Sequence, residues 1–153
     1  MVAAVEAEIA MSVGMLAFAL LVAAAVFAPL WLLARIGGWR TLAERYPRND
    51  AMPPRKMWMG FAVFRGWVGY NGALVVASDA RGLFLSALPI LLWSHPPIFI
   101  PWADVERIEH RSTWYGRVHE IRVRRAPEVR FGLRERTYRF VQPDAAAAGV
   151  AGA

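Results

Sequence analysis

A chain of 153 residues, 57% of them hydrophobic, with a formal charge of +6, has room for one apolar anchor and one compact domain. It contains no cysteine, which excludes disulfides, thiolate nucleophiles and cysteine-ligated zinc or iron–sulfur centres. No repeat of the length that marks a solenoid recurs.

Residues 9–34, IAMSVGMLAFALLVAAAVFAPLWLLA, carry no charge. A helix of this length reaches about 39 Å, more than the ~30 Å hydrocarbon core of a bilayer. The stretch is therefore read as a transmembrane helix, preceded by a short extracytoplasmic segment, residues 1–8. A cleaved signal peptide fits poorly, because Glu6 and Glu8 stand where a basic n-region belongs and Pro29 follows the one candidate site at Ala28. Arg35, Arg40, Arg45 and Arg48 follow the span, so the positive-inside bias puts the N-terminus outside and the remainder in the cytoplasm. Trp31, Arg35, Trp39 and Arg40 are expected at the membrane interface. Within the span, Gly14, Ala19 and Ala23 belong to small-xxx-small pairs that permit close helix packing, either in a homo-oligomer or on another integral membrane protein. An alanine-rich span also generates such pairs by composition alone.

Past the span, Trp39, Leu42, Ala43 and Tyr46 recur at helical spacing within residues 36–47. This predicts a juxtamembrane amphipathic helix, lying on the bilayer or packing under the domain, and stopped by Pro47. Residues 48–56, RNDAMPPRK, read as a linker, and 57–142 as a β domain. Residues 73–77 and 83–88 flank a turn at 78–82 that signals a hairpin, with Gly82 available for positive φ. Further strands are expected at 57–64, 98–102, 105–114 and 118–124. Val129, Phe131 and Leu133 alternate with Arg130 and Arg134, and Tyr138 and Phe140 then change parity, as a bulge or turn between strands would produce. The fold class expected is mainly β with one N-terminal transmembrane α-helix: a small antiparallel barrel or sandwich, with residues 143–153 as a flexible tail.

The run Asp79-Ala80-Arg81-Gly82-Leu83-Phe84-Leu85, followed by Ile98-Phe99-Ile100-Pro101-Trp102-Ala103-Asp104-Val105-Glu106-Arg107-Ile108, resembles bacterial pleckstrin-homology-like (PH-like) and GRAM-like domains. Gly38-Trp39, Leu42-Ala43, Tyr46-Pro47 and His95 to Trp102 resemble segments of small bacterial single-pass membrane proteins that carry such a domain. The resemblance implies a PH-like barrel at the bacterial inner membrane. That family closes its barrel with a C-terminal helix, whereas only a brief alanine tract is visible here after the last expected strand.

Chemistry is thin. His110 and His119 can meet across a hairpin near Glu120, but no HExxH or i, i+4 histidine pair accompanies them, so surface histidines are expected, with no metal and no cofactor. No nucleophile with its base assembles from these spacings, and an enzyme is not expected. After Ala34, eighteen Lys or Arg stand against the twelve acids less Glu6 and Glu8. Arg122, Arg124, Arg130, Arg134, Arg136 and Arg139 fall on adjacent strands and form a candidate face for lipid headgroups. Nucleic acid is not an expected partner, since no recognition helix or aromatic RNA signature accompanies them. In ALPILLWSHPP, residues 87–97, the prolines argue against a regular helix or central strand. Leu88, Ile90, Leu91, Leu92 and Trp93 then pack on the core, dip into the bilayer, or form a partner-binding surface. The expected function is a membrane-anchored, non-catalytic scaffold or accessory subunit of a larger membrane assembly. The alternative is a peripheral sensor of anionic phospholipids acting through the arginine face.

Overall fold

Alanine, leucine and methionine are strong helix formers, and the N-terminal apolar stretch forms helix α1, Val2–Ile36, with Pro29 inside it. The computed structural model describes residues 1–114 and 116–153, leaving the side chains at positions 2–5 and 7 undescribed. The segment Glu8–Ile36 is long and apolar enough to cross a membrane. Residues 2–8, expected as a separate extracytoplasmic stretch, continue the same helix. The chain divides into two compact units, Met1–Leu32 and Leu33–Ala153.

The second unit begins with the last turn of α1. Gly37 and Gly38 break the helix, and Gly38 adopts φ +88, a left-handed conformation that glycine enters without a steric cost. Helix α2, Trp39–Arg45, follows. Trp39, Leu42, Ala43 and Tyr46 all point into the core, so this amphipathic helix packs under the β domain. The expectation for Trp39 is thereby corrected. The indole is wholly buried, ringed by Phe64, Tyr70 and His95 at centroid distances of 5.3–5.4 Å. Its N–H donates to the Pro96 carbonyl at 2.9 Å, so a protein acceptor replaces the water of a membrane interface.

Seven strands follow: β1 Lys56–Phe64, β2 Val68–Asp79, β3 Gly82–Ala87, β4 Ile98–Pro101, β5 Val105–Thr113, β6 Gly116–Val123 and β7 Phe131–Arg134. They form one curled antiparallel sheet in the order β4-β3-β2-β1-β7-β6-β5. The inner face carries Leu74, Val76, Leu83, Leu85, Ile121 and Leu133 into one core. Tyr46 and Arg48 cover the outer edge of β4 through bonds to Phe99 and Pro97 at 3.0 and 3.3 Å, which protects an edge strand from pairing elsewhere. The β2–β3 hairpin forms as expected, but Gly82 does not use positive φ. It is needed because β4 approaches so closely that a Cβ would meet the Ile100 carbonyl and lie 2.8 Å from the Phe99 ring.

The C-terminal region differs most from expectation. Tyr138 and Phe140 are not in a strand: α3 runs Glu135–Ala147, with Thr137, Tyr138, Val141 and Ala145 buried against the sheet. Tyr138, Val141 and Ala145 hold an i, i+3, i+7 spacing that the shorter Tyr138–Phe140 alternation masks. The Thr137 hydroxyl accepts the Phe61 N–H at 2.9 Å, and Asp144 accepts from the Ser78 hydroxyl and from Arg55. The tail read as flexible packs as well. Val150 is buried, and the Ala151 carbonyl accepts the Ile108 N–H at 2.8 Å, so small residues satisfy part of the exposed edge of β5.

Candidate functional site

Two surfaces of the second unit stand out, and both are held up by a buried histidine. The first is the loop between β3 and β4. Pro89 starts a single 3₁₀ turn, Pro89–Leu91, after which the Ser94 and His95 N–H groups both donate to the Leu91 carbonyl at 3.0 and 2.9 Å. His95 is wholly buried between two hydroxyls, with Nδ1 2.7 Å from Ser94 Oγ and Nε2 2.8 Å from Tyr70 OH. Burial lowers the His95 pKa and raises that of Tyr70, so the ring is held neutral and each hydroxyl can donate or accept to suit its tautomer. With both ring nitrogens satisfied, this end of the loop is fixed to the core.

The outward half of the loop is apolar. Leu88 and Leu91 fold partly inward, whereas Ile90, Leu92 and Trp93 remain 71%, 41% and 51% exposed. Of the three readings open for this stretch, core packing holds in part for the first pair alone. Trp39, the first residue of α2, touches His95 and Pro96, so the base of the loop packs against the start of α2.

The second surface lies between the β5–β6 hairpin and the start of α3. His110 and His119 pair directly across the hairpin, their rings 4.6 Å apart. His119 stacks on Tyr138 at 3.7 Å, and its Nε2 bonds Glu135 Oε2 at 2.7 Å. The other Glu135 oxygen accepts from Arg139 Nε at 2.6 Å, and the bonds from His119 and Arg139 together hold Glu135 below the usual carboxylate range. His119 is buried and not at the surface as expected, and its Nδ1 lacks a partner among the described residues. Two adjoining hollows flank this cluster. One of about 540 Å³ is lined by His110, Ser112, Arg117, His119 and Gln142; the other, about 700 Å³, by Phe61, Arg117, Arg134, Arg136 and Arg139.

The six expected headgroup arginines do not share one face. Arg122 lies on the outer side of β6, 3.3 Å from Glu109 and 3.6 Å from Glu120, in a ladder that also holds Arg107 and Arg111. Arg124 and Arg130 stand exposed at either end of the β6–β7 loop. Only Arg134, Arg136 and Arg139 converge, and they do so with Arg117, which strand parity places with His119 on the opposite side of β6 from Arg122. Arg117, His119, Glu135 and Tyr138 were missed as a group. The signal for it, the pairing of His110 with His119, was legible, but α3 was needed to complete it.

On α1, Ala19 and Ala23 share a stripe, while Gly14 lies about 140° around the helix from Ala19. Trp31 and Arg35 are exposed and Arg40 half-buried. Among the described residues, no three His, Asp or Glu side chains gather so as to hold a metal ion. Comparison with family models, with curated proteins and with solved structures finds no match to this chain.

Proposed function

We propose that this chain is a single-pass protein of the bacterial inner membrane, N-terminus outside and β unit in the cytoplasm, that serves as a non-catalytic scaffold or accessory subunit of a larger membrane assembly. The length and apolarity of α1 support the anchor, and the arginines at 35, 40, 45 and 48 against Glu6 and Glu8 support the orientation. A sheet in which β1 lies between β2 and β7, followed by a helix laid over its inner face, supports a PH-like reading of the β unit.

The observation that carries the proposal is the loop of Ile90, Leu92 and Trp93. Its apolar side chains are exposed while its base is locked by Ser94, His95 and Tyr70, so little conformational entropy is left to lose on binding. An exposed tryptophan flanked by aliphatic side chains is the composition of an interface anchor. The apolar span on the same chain favours a partner that is itself in the membrane.

Purification of the full-length tagged protein in mild detergent, beside the Ile90→Ser/Trp93→Ser variant, tests this. The expected result is a membrane partner at fixed stoichiometry with the wild type and its loss with the variant. A protein that purifies alone overturns the accessory-subunit reading and leaves recognition of anionic phospholipids as the alternative. That alternative predicts salt-sensitive association with anionic vesicles.

A further inference from the structure

The hollows between the β5–β6 hairpin and α3 are not used by the function proposed above, and their chemistry is of another kind. Arg117, Arg134, Arg136 and Arg139 surround a single carboxylate, Glu135, so the rim carries an excess of positive charge. Glu135 is already held at both oxygens, by His119 and by Arg139. Its charge is spent on positioning Arg139, and Arg117, Arg134 and Arg136 make no ion pair among the described residues. Arg134 instead lies over the Phe61 ring at 5.5 Å, which fixes a guanidinium in place without neutralising it. The adjoining hollow shares Arg117, Glu135 and Arg139 with the first and adds Arg111, the two histidines His110 and His119, and two neutral polar groups, Ser112 and Gln142.

We propose that this groove binds a small organic phosphate that also bears hydroxyl groups. The rim arginines take the phosphate through paired N–H donors, a geometry that suits guanidinium better than ammonium. The hydroxyls face Ser112 and Gln142 in the neighbouring hollow, where an amide and a hydroxyl can each donate or accept. A volume of about 540 Å³ falls within the range of small-ligand sites. The buried His119 ring, clamped between Tyr138 and His110, forms the wall and holds Glu135; it is a positioning residue. Ligands of this chemistry occur free, as sugar or glycerol phosphates, and as the headgroup of phosphatidylglycerol.

The test is titration of the full-length protein in detergent with glycerol 1-phosphate and with inorganic phosphate, followed by thermal shift and by the histidine ring resonances. Saturable binding is expected, tighter for glycerol 1-phosphate, with His110 or His119 resonances moving. Arg117→Ala weakens it about tenfold or more, while Arg124→Ala, an exposed arginine outside the groove, leaves it unchanged. Because Arg117 is exposed, its loss leaves folding intact, and an unchanged melting temperature without ligand checks that. In nanodiscs, weaker binding with phosphatidylglycerol than with charge-matched phosphatidylserine assigns the site to a lipid headgroup, and equal binding assigns it to a free phosphate. Absence of saturable binding, equal affinity for the two phosphates, or equal losses with Arg117→Ala and Arg124→Ala overturns the proposal. None of these outcomes depends on a protein partner, so the groove and the β3–β4 loop fail or stand separately.

Discussion

His95 and His119 are both buried, both hydrogen-bonded to a side chain, and both pressed against a tyrosine, yet they support opposite surfaces. Around His95 the partners are neutral hydroxyls, every ring nitrogen is satisfied, and the loop above it shows aliphatic and aromatic side chains. Around His119 the partner is a carboxylate, one ring nitrogen is unmet, and arginines stand at the rim. A closed polar network leaves nothing for a ligand to complete, so what it offers is rigidity. An open one beside cations offers chemistry to complete, and that difference separates a docking surface from an anion groove.

The strongest way to break this contrast is to remove what closes the first network. Trp39→Ala deletes a fully buried indole that touches Phe64, Tyr70 and His95, and is expected to cost about 3–5 kcal/mol, read by thermal unfolding of the full chain in detergent. A melting temperature close to wild type would return Trp39 to the membrane interface. Tyr70→Phe takes only the hydroxyl, leaves His95 Nε2 without its partner, and is expected to cost about 1–3 kcal/mol. The pH dependence has a definite sign. With the folded His95 pKa lowered by burial, the unfolded chain binds the extra proton, so its contribution is complete above about pH 6.5 and declines as pH falls towards the lowered folded value. Unfolding midpoints at pH 8 and pH 5.5 should differ less in His95→Gln than in the wild type; an unchanged difference would mean that His95 titrates normally in the folded state.

Much of the β unit was legible in the sequence, because strand alternation and the 78–82 turn are local signals. Burial of Trp39 was not, since an indole after a span satisfies the pattern of a membrane anchor and of a core residue equally, and only the acceptor at Pro96 decides between them. Helix α3 was hidden because Tyr138 and Phe140 mimic two strand positions while, of the residues it buries besides Tyr138, Thr137 is polar, Ala145 is small and only Val141 is plainly apolar. The arginines mislead for a related reason. Composition counts them together, whereas strand parity puts Arg122 and Arg117 on opposite sides of β6, one among glutamates and one in a groove.

Smaller effects sharpen the contrast at the surfaces. Ile90→Ser/Trp93→Ser and Arg117→Ala should each change stability by no more than about 0.5 kcal/mol, because none of these side chains is buried. Their binding defects should not cross: the first loses the membrane partner and keeps the phosphate, and the second does the reverse. Co-purification and phosphate titration of both variants check this, and a shared defect would mean that one surface acts through the other.

Arg122→Ala is expected to do least to binding, and about 0–1 kcal/mol in stability, since its partners Glu109 and Glu120 retain Arg107 and Arg111. Its value is as a measure of what charge alone contributes. Arg122→Ala and Arg117→Ala change the net charge equally, but only Arg117 stands beside Arg139 and Glu135. If anion binding follows net charge, the two variants weaken it alike and the groove is no site. If it follows geometry, Arg122→Ala binds glycerol 1-phosphate as the wild type does, because Arg122 lies on the other side of β6, beside Glu109 and Glu120, and does not line the groove.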